Sequence, residues 1–111
     1  SFPIWGTGSP LREFLHVDDL AHACHDLLEN YDSEEPINIG VGKDISIREL
    51  ADLVSEVVGY TGKLAWDSSK PDGTPRKLMD TSRLNALGWK PQISLREGIA
   101  DTYQWYLANE V

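Results

Sequence analysis

At 111 residues, with 41% hydrophobic and 25% charged side chains, the chain is long enough for one modest domain with a single core. Its net charge of −8 opposes binding to nucleic-acid backbones, and no apolar run approaches the roughly 20 residues of a membrane-spanning helix. One cysteine, Cys24, excludes an internal disulfide framework and fits a reducing cytoplasm, and Ser1-Phe2-Pro3-Ile4-Trp5 lacks the basic and apolar pattern of a secretory leader.

In chain order, residues 1–11 read as irregular, with Gly6, Gly8, Ser9 and Pro10 as breakers. Glu13-Phe14-Leu15-His16-Val17 reads as a short strand, after which Asp18 is placed to cap a helix. Leu20, Cys24, Leu27, Leu28 and Tyr31 fall on one face of that helix. Asp32 to Pro36 is a turn, and Ile37-Asn38-Ile39 a second short strand ending at Gly40. Ser46-Ile47-Arg48-Glu49 is a capping box. The helix it opens carries Ile47, Leu50, Ala51, Val54, Val57 and Val58 inward and closes at Gly59. Lys63 to Asp67 alternates as a strand does, and Leu78-Met79-Asp80 is a short extended piece. A brief helix runs from Thr81 through Leu84 and Leu87 to Gly88. A second capping box, Ser94 to Glu97, opens a last helix with Leu95, Ile99, Thr102, Tyr103, Tyr106 and Leu107 on or near one face. Such alternation predicts an α/β or α+β arrangement of about four helices and three to four short strands. So few strands do not make a self-sufficient sheet, so residues 1–111 are expected to be one partial domain of a larger fold.

Charge is unevenly distributed. Residues 1–60 hold 3 Lys/Arg against 12 Asp/Glu, whereas residues 61–96 hold 7 against 3. The positive segment includes Lys70-Pro71-Asp72-Gly73-Thr74-Pro75-Arg76-Lys77, in which two prolines and an Asp-Gly turn make a stiff loop. A stiff cationic loop loses little entropy on capturing a phosphate or carboxylate, although the same residues also suit a solvated turn. Trp5 offers a flat apolar face and Arg12 a planar fork for a diphosphate. With the loop they form a set suited to a nucleotide-linked sugar.

Other chemistry finds less support. His16, Asp18, Asp19, His22, Cys24 and His25 cluster, but a single cysteine and no second ligand pair exclude a zinc-finger site, and no metal is expected. No Gly-x-Ser-x-Gly elbow is present, and Cys24, placed on an apolar face, reads as an inert buried thiol. Gly40-Val41-Gly42-Lys43-Asp44 departs from the P-loop pattern in spacing, and its Asp44 would repel phosphate, so it reads as a turn. No dinucleotide fingerprint and no Tyr-x-x-x-Lys pair occurs.

Residues 5–21, with their Arg-x-Phe-x-His-Val-x-Asp pattern at Arg12 to Asp19, closely resemble the carboxy-terminal region of extended short-chain dehydrogenases acting on nucleotide sugars. The opening loop together with Lys70 to Lys77 and the Thr102-Tyr103-Gln104-Trp105-Tyr106 ending resembles, more narrowly, the GDP-L-fucose synthases. The resemblance implies a parent enzyme that uses NADPH (cofactor NADP) for 3,5-epimerisation and 4-reduction of GDP-4-keto-6-deoxy-D-mannose. It also implies that this chain is the carboxy-terminal substrate lobe, with the Rossmann domain missing. By that resemblance Trp5, Arg12, Asp72 and Lys77 contact the GDP-sugar, with Arg76 kept as an alternative to Lys77. Catalytic and cofactor-binding residues are expected in the missing lobe, so this chain alone is expected to be inactive. His16 and Cys24 are not the family's epimerisation residues. The parent is expected to be a cytoplasmic homodimer. The alternatives are a lobe of another nucleotide-sugar epimerase or dehydratase, or a non-catalytic module binding a phosphorylated ligand or a protein. Without its other lobe, the Leu20-Cys24-Leu27-Tyr31 face is expected to be partly uncovered, favouring self-association.

Overall fold

Ser46 starts a helix by the reciprocal bonding its sequence predicts. Its hydroxyl accepts the Glu49 N–H at 3.1 Å while the Glu49 carboxylate accepts the Ser46 N–H at 3.4 Å. The helix ends at Gly59 in a left-handed conformation, φ 79°. The computed structural model describes residues 1–109. Along the chain it contains β1 (Phe2–Trp5), β2 (Leu11–Arg12), α1 (Val17–Asn30), β3 (Ile45–Ser46), α2 (Ile47–Val58), β4 (Leu64–Asp67), α3 (Ser82–Ala86) and α4 (Leu95–Asn109). This is the mixed α/β arrangement of four helices and short strands that the sequence predicts. No helix is long and apolar enough to cross a membrane among the described residues.

Two small sheets organise the chain. β1 pairs in parallel with β4, from Phe2 opposite Leu64 to Trp5 opposite Asp67. β2 pairs antiparallel with β3, Leu11 opposite Ser46 and Arg12 opposite Ile45. The expectation of an irregular start is therefore corrected: Phe2-Pro3-Ile4-Trp5 is a strand. It has a neighbour on one side only, which accommodates the missing N–H of Pro3. The strand expected over residues 13–17 is also corrected, because pairing stops at Arg12. Glu13 instead turns its carboxylate to the N–H groups of Gly42 (2.6 Å) and Met79 (3.3 Å). The cap of α1 is His16, not Asp18: its Nδ1 accepts the Asp18 N–H at 3.0 Å. Ile37–Ile39 forms no strand, and neither do residues 78–80; Asn38 uses its side-chain amide to reach the Asp80 carbonyl at 3.1 Å. The second capping box is present, with Glu97 N–H to Ser94 Oγ at 3.2 Å and Ser94 N–H to Glu97 Oε1 at 3.4 Å.

The rotation of α1 differs from its apolar pattern. Asp19 is fully buried, and its carboxylate accepts the N–H groups of Gln92 (3.1 Å) and Ile93 (3.0 Å). Capturing Asp19 turns Ala23, one turn later, into the interior, where it is fully buried. Cys24 is consequently exposed, correcting its reading as a buried thiol. Leu20 and Leu28 are exposed as well, while Leu27 and Tyr31 are half-buried. Ala23 and Leu84 are the fully buried apolar side chains among the described residues. The face of α2 is aligned as predicted but incompletely covered, with Val54 and Val58 exposed. The radius of gyration is 16.6 Å, against about 13 Å for a compact domain of this length. The chain is thus extended and thinly packed.

Asp19→Ala removes the acceptor from two amides that have no other partner among the described residues. We expect a loss of about 1–3 kcal/mol of stability, read from urea unfolding. Unchanged stability would show that water replaces the carboxylate there.

Candidate functional site

Because β1 and β4 are parallel, their carboxyl ends lie together, with Trp5 ending one and Asp67 the other. In open α/β sheets that end of the strands is where ligands bind. The pairing continues past the strands through the Gly6 N–H to the Asp67 carbonyl at 2.8 Å. A turn closed by Lys70 N–H to the Asp67 carbonyl, 3.2 Å, sends the chain back toward β1. It sets the Lys70 ammonium 5.2 Å from the centre of the Trp5 ring.

Asp72 then clasps the opposite segment. Its Oδ1 accepts the Thr7 N–H at 2.9 Å and its Oδ2 the Thr7 hydroxyl at 2.7 Å. These two bonds, the hydroxyl first, hold the Asp72 carboxyl below its ordinary value of 3.8. Gly6 sits beneath at φ 92°, and a Cβ there would fall 2.2 Å from Asp72 Oδ1, so any other residue would strain the backbone and push the Asp72 carboxylate away. Farther along, the Leu11 N–H donates to the Pro75 carbonyl at 2.9 Å, and the Lys77 N–H to the Leu11 carbonyl at 3.2 Å. Arg12 lies against Gly73, where a Cβ would come within 3.0 Å of its Nη2. Residues 5–12 and 67–77 therefore run side by side, and Trp5, Arg12, Asp72 and Lys77 all belong to this paired run.

The electrostatics sort the cations. Arg76 is held by Asp44, Nε to Oδ2 2.8 Å. Among the described residues no carboxylate lies within ion-pair distance of Arg12, Lys70 or Lys77. Trp5 is 69% exposed, with the Lys70 ammonium over its ring, and Arg12 and Lys77 lie farther along the same paired run. That combination suits a ligand with a flat ring and an anionic group. The site is an open surface. Two apolar grooves lie elsewhere: about 570 Å³ between α2 and α4, and about 350 Å³ between α2 and the β1–β4 pair.

The remaining candidates resolve into structural roles. The Gly42 N–H is already taken by Glu13, and Asp44 by Arg76, so Gly40 to Asp44 is no phosphate loop and offers no fit for a dinucleotide. His16, Asp18 and Asp101 hold ligand atoms within 4.8 Å of one another. Because His16 Nδ1 accepts a backbone N–H, the neutral ring carries its proton on Nε2 and donates to Asp101 Oδ2 at 3.0 Å. Both nitrogens are thus used, Nδ1 in capping α1 and Nε2 in tying it to α4. Nothing in the sequence pattern singles out Thr7 or Arg48, although both hold the turn beside Trp5. The one signal is that Thr7 stands between two glycines, where a turn without other side chains needs an anchor.

A family profile described as the NAD dependent epimerase/dehydratase family matches residues 1–40. The chain is 66% identical over 106 residues to GDP-L-fucose synthase 1 of Arabidopsis thaliana, covering 96% of this chain and 33% of that protein. It is 51% identical over 116 aligned positions to the GDP-L-fucose synthase of Escherichia coli K12, covering 96% and 36%. A crystal structure of a GDP-L-fucose synthetase from Naegleria fowleri bound to NADP superposes with a TM-score of 0.91 at 32% identity, covering 97% of this chain and 35% of that one. The chain spans about a third of the length of the curated relatives it matches.

The lowered Asp72 carboxyl gives the clasp a pH dependence. Its contribution is complete above pH 3.8, the ordinary value, and is lost as pH falls through the lower folded value. The Thr7 amide resonance is expected to titrate with a midpoint below 3.8, and Asp72→Asn to abolish that titration. A midpoint at or above 3.8 would contradict the clasp.

Proposed function

We propose that this chain is the carboxy-terminal nucleotide-sugar-binding lobe of a GDP-L-fucose synthase. The observation that carries the reading is the exposed Trp5 ring under the Lys70 ammonium at the carboxyl ends of a parallel strand pair, with Arg12 and Lys77 farther along the paired run of residues 5–12 and 67–77. The sequence relationship to GDP-L-fucose synthases along nearly the whole chain supports it.

In this reading the guanine or sugar ring packs on Trp5, and the diphosphate meets the Arg12 fork and the Lys77 ammonium. Lys77 takes precedence over Arg76, because Arg76 is already neutralised by Asp44. Asp72 cannot attract a phosphate. Its two oxygens accept from Thr7, and each keeps a lone pair for a ligand hydroxyl or guanine N–H. The open surface becomes one wall of a cleft whose other wall is the cofactor-binding lobe. NADPH, held by that lobe, would supply the hydride for reduction at C4 and leave as NADP+. The present residues bind and orient the sugar nucleotide and carry none of the redox chemistry. A cytoplasmic location for the full enzyme is consistent with the free, exposed Cys24 thiol of this chain.

Titration of the chain with GDP-mannose and UDP-glucose tests the ligand class. GDP-mannose is expected to bind more tightly, and Trp5→Ala, Arg12→Ala and Lys77→Ala each to weaken it by about tenfold, the loss of one stacking or charge-assisted contact. Equal binding of both nucleotides, or indifference to all three substitutions, would reject the assignment. NADPH-dependent turnover by these 111 residues would overturn the division of labour. Exposed Leu20 and Leu28 on α1 make concentration-dependent self-association of the isolated chain the expected result in sedimentation velocity, and Leu28→Glu is expected to reduce it.

A further inference from the structure

Thr7 is fixed from every polar direction. Its N–H and hydroxyl reach Asp72, as described above. Its carbonyl accepts from Arg48 Nη2 at 2.6 Å. The hydroxyl also lies 2.9 Å from the Ser9 hydroxyl and accepts the Ser9 N–H at 3.2 Å. Arg48 stands at the start of α2. It holds the same turn a second time, through its own N–H to the Gly8 carbonyl at 3.0 Å. Its guanidinium is braced 4.5 Å from the centre of the Trp66 ring, in β4. Gly8 is packed so closely that a Cβ would come within 2.9 Å of Trp66 and 2.8 Å of Arg48.

The position of this knot gives it meaning. Thr7 is two residues beyond Trp5, and Asp72 two beyond Lys70, the two side chains that meet at 5.2 Å. Locking Thr7 to Asp72 therefore locks the separation of the Trp5 ring from the Lys70 ammonium. Arg48 and Trp66 anchor that lock to α2 and β4, the helix and strand beside the site. Pre-setting a ring and a cation at working distance removes ordering entropy from ligand capture.

We propose that Thr7, supported by Arg48, is a positioning residue for nucleotide-sugar binding: it holds Trp5 and Lys70 at the spacing that accepts a flat base or sugar ring on the indole and an oxygen-rich group on the ammonium. This rests on the nucleotide-sugar reading above for the ligand, and on the described hydrogen bonds alone for the positioning. Thr7 touches no ligand and acts through Trp5 and Lys70.

Thr7→Val, Thr7→Ser and Arg48→Met in the 111-residue chain test it with two readouts. The first needs no ligand. The Lys70 Cε protons, next to an ammonium 5.2 Å from the indole centre, are expected to be shifted upfield by its ring current in the unsubstituted chain. Thr7→Val and Arg48→Met are expected to move them toward random-coil values, and Thr7→Ser to preserve the shift. The second is GDP-mannose affinity, expected to fall about tenfold in Thr7→Val and to recover in Thr7→Ser. An upfield shift that survives Thr7→Val overturns the positioning role, and so does unchanged GDP-mannose affinity in that variant. If the unsubstituted chain shows the shift but ignores GDP-mannose, the nucleotide-sugar reading fails, and with it Thr7's role in binding.

Discussion

The parallel alignment of Phe2–Trp5 with Leu64–Asp67 is the constraint from which the rest of the molecule follows. Nearly sixty residues separate the two strands, and a parallel pair cannot be closed by a tight turn. The intervening chain forms β2, α1, β3 and α2 before returning. Because both strands point the same way, the segments leaving them emerge side by side. An aromatic side chain from one and a cationic loop from the other then meet without a long reach. Had the pair been antiparallel, the loop beginning at Lys70 would have emerged at the opposite end from Trp5.

Polar capture, more than apolar packing, determines how the helices sit. Asp19 with the 92–93 amides, His16 with Asp101, and Glu13 with the Gly42 and Met79 amides join segments distant in sequence. Ala23 and Leu84 are small contributors to a core, and a two-stranded parallel sheet is marginal when its faces are open. The two apolar grooves flanking α2 show where packing is unfinished. A surface of this kind fits a lobe that completes its core against further protein.

The sequence made some of this legible and hid the rest for physical reasons. Capping boxes at Ser46 and Ser94 are local, so their bonds form wherever the chain goes. The Lys70–Lys77 loop was singled out by residue type and resemblance together with Trp5 and Arg12, and the structure runs it alongside residues 5–12. β1 was hidden because its Pro3 and the glycines after it look like loop punctuation, and only a distant partner makes it a strand. The rotation of α1 was hidden because a buried carboxylate overrode its apolar stripe, exposing Cys24. His16 displaced Asp18 as the cap because an imidazole nitrogen in the right place accepts an amide as well as a carboxylate does. Thr7 and Arg48 left little trace, since their importance lies in partners 65 and 41 residues away.

The Arg76–Asp44 ion pair is exposed on the arginine side, and its contribution to stability is small. Its larger consequence is directional. In an extended segment neighbouring side chains leave on opposite sides, so tying Arg76 down on one side commits Lys77 to the other. The pair acts as a selector: by spending one cation on a half-buried acid, it decides which of two adjacent positive charges is left without a carboxylate. An exchange of the two residues would keep composition and net charge unchanged, yet it would turn the free charge around.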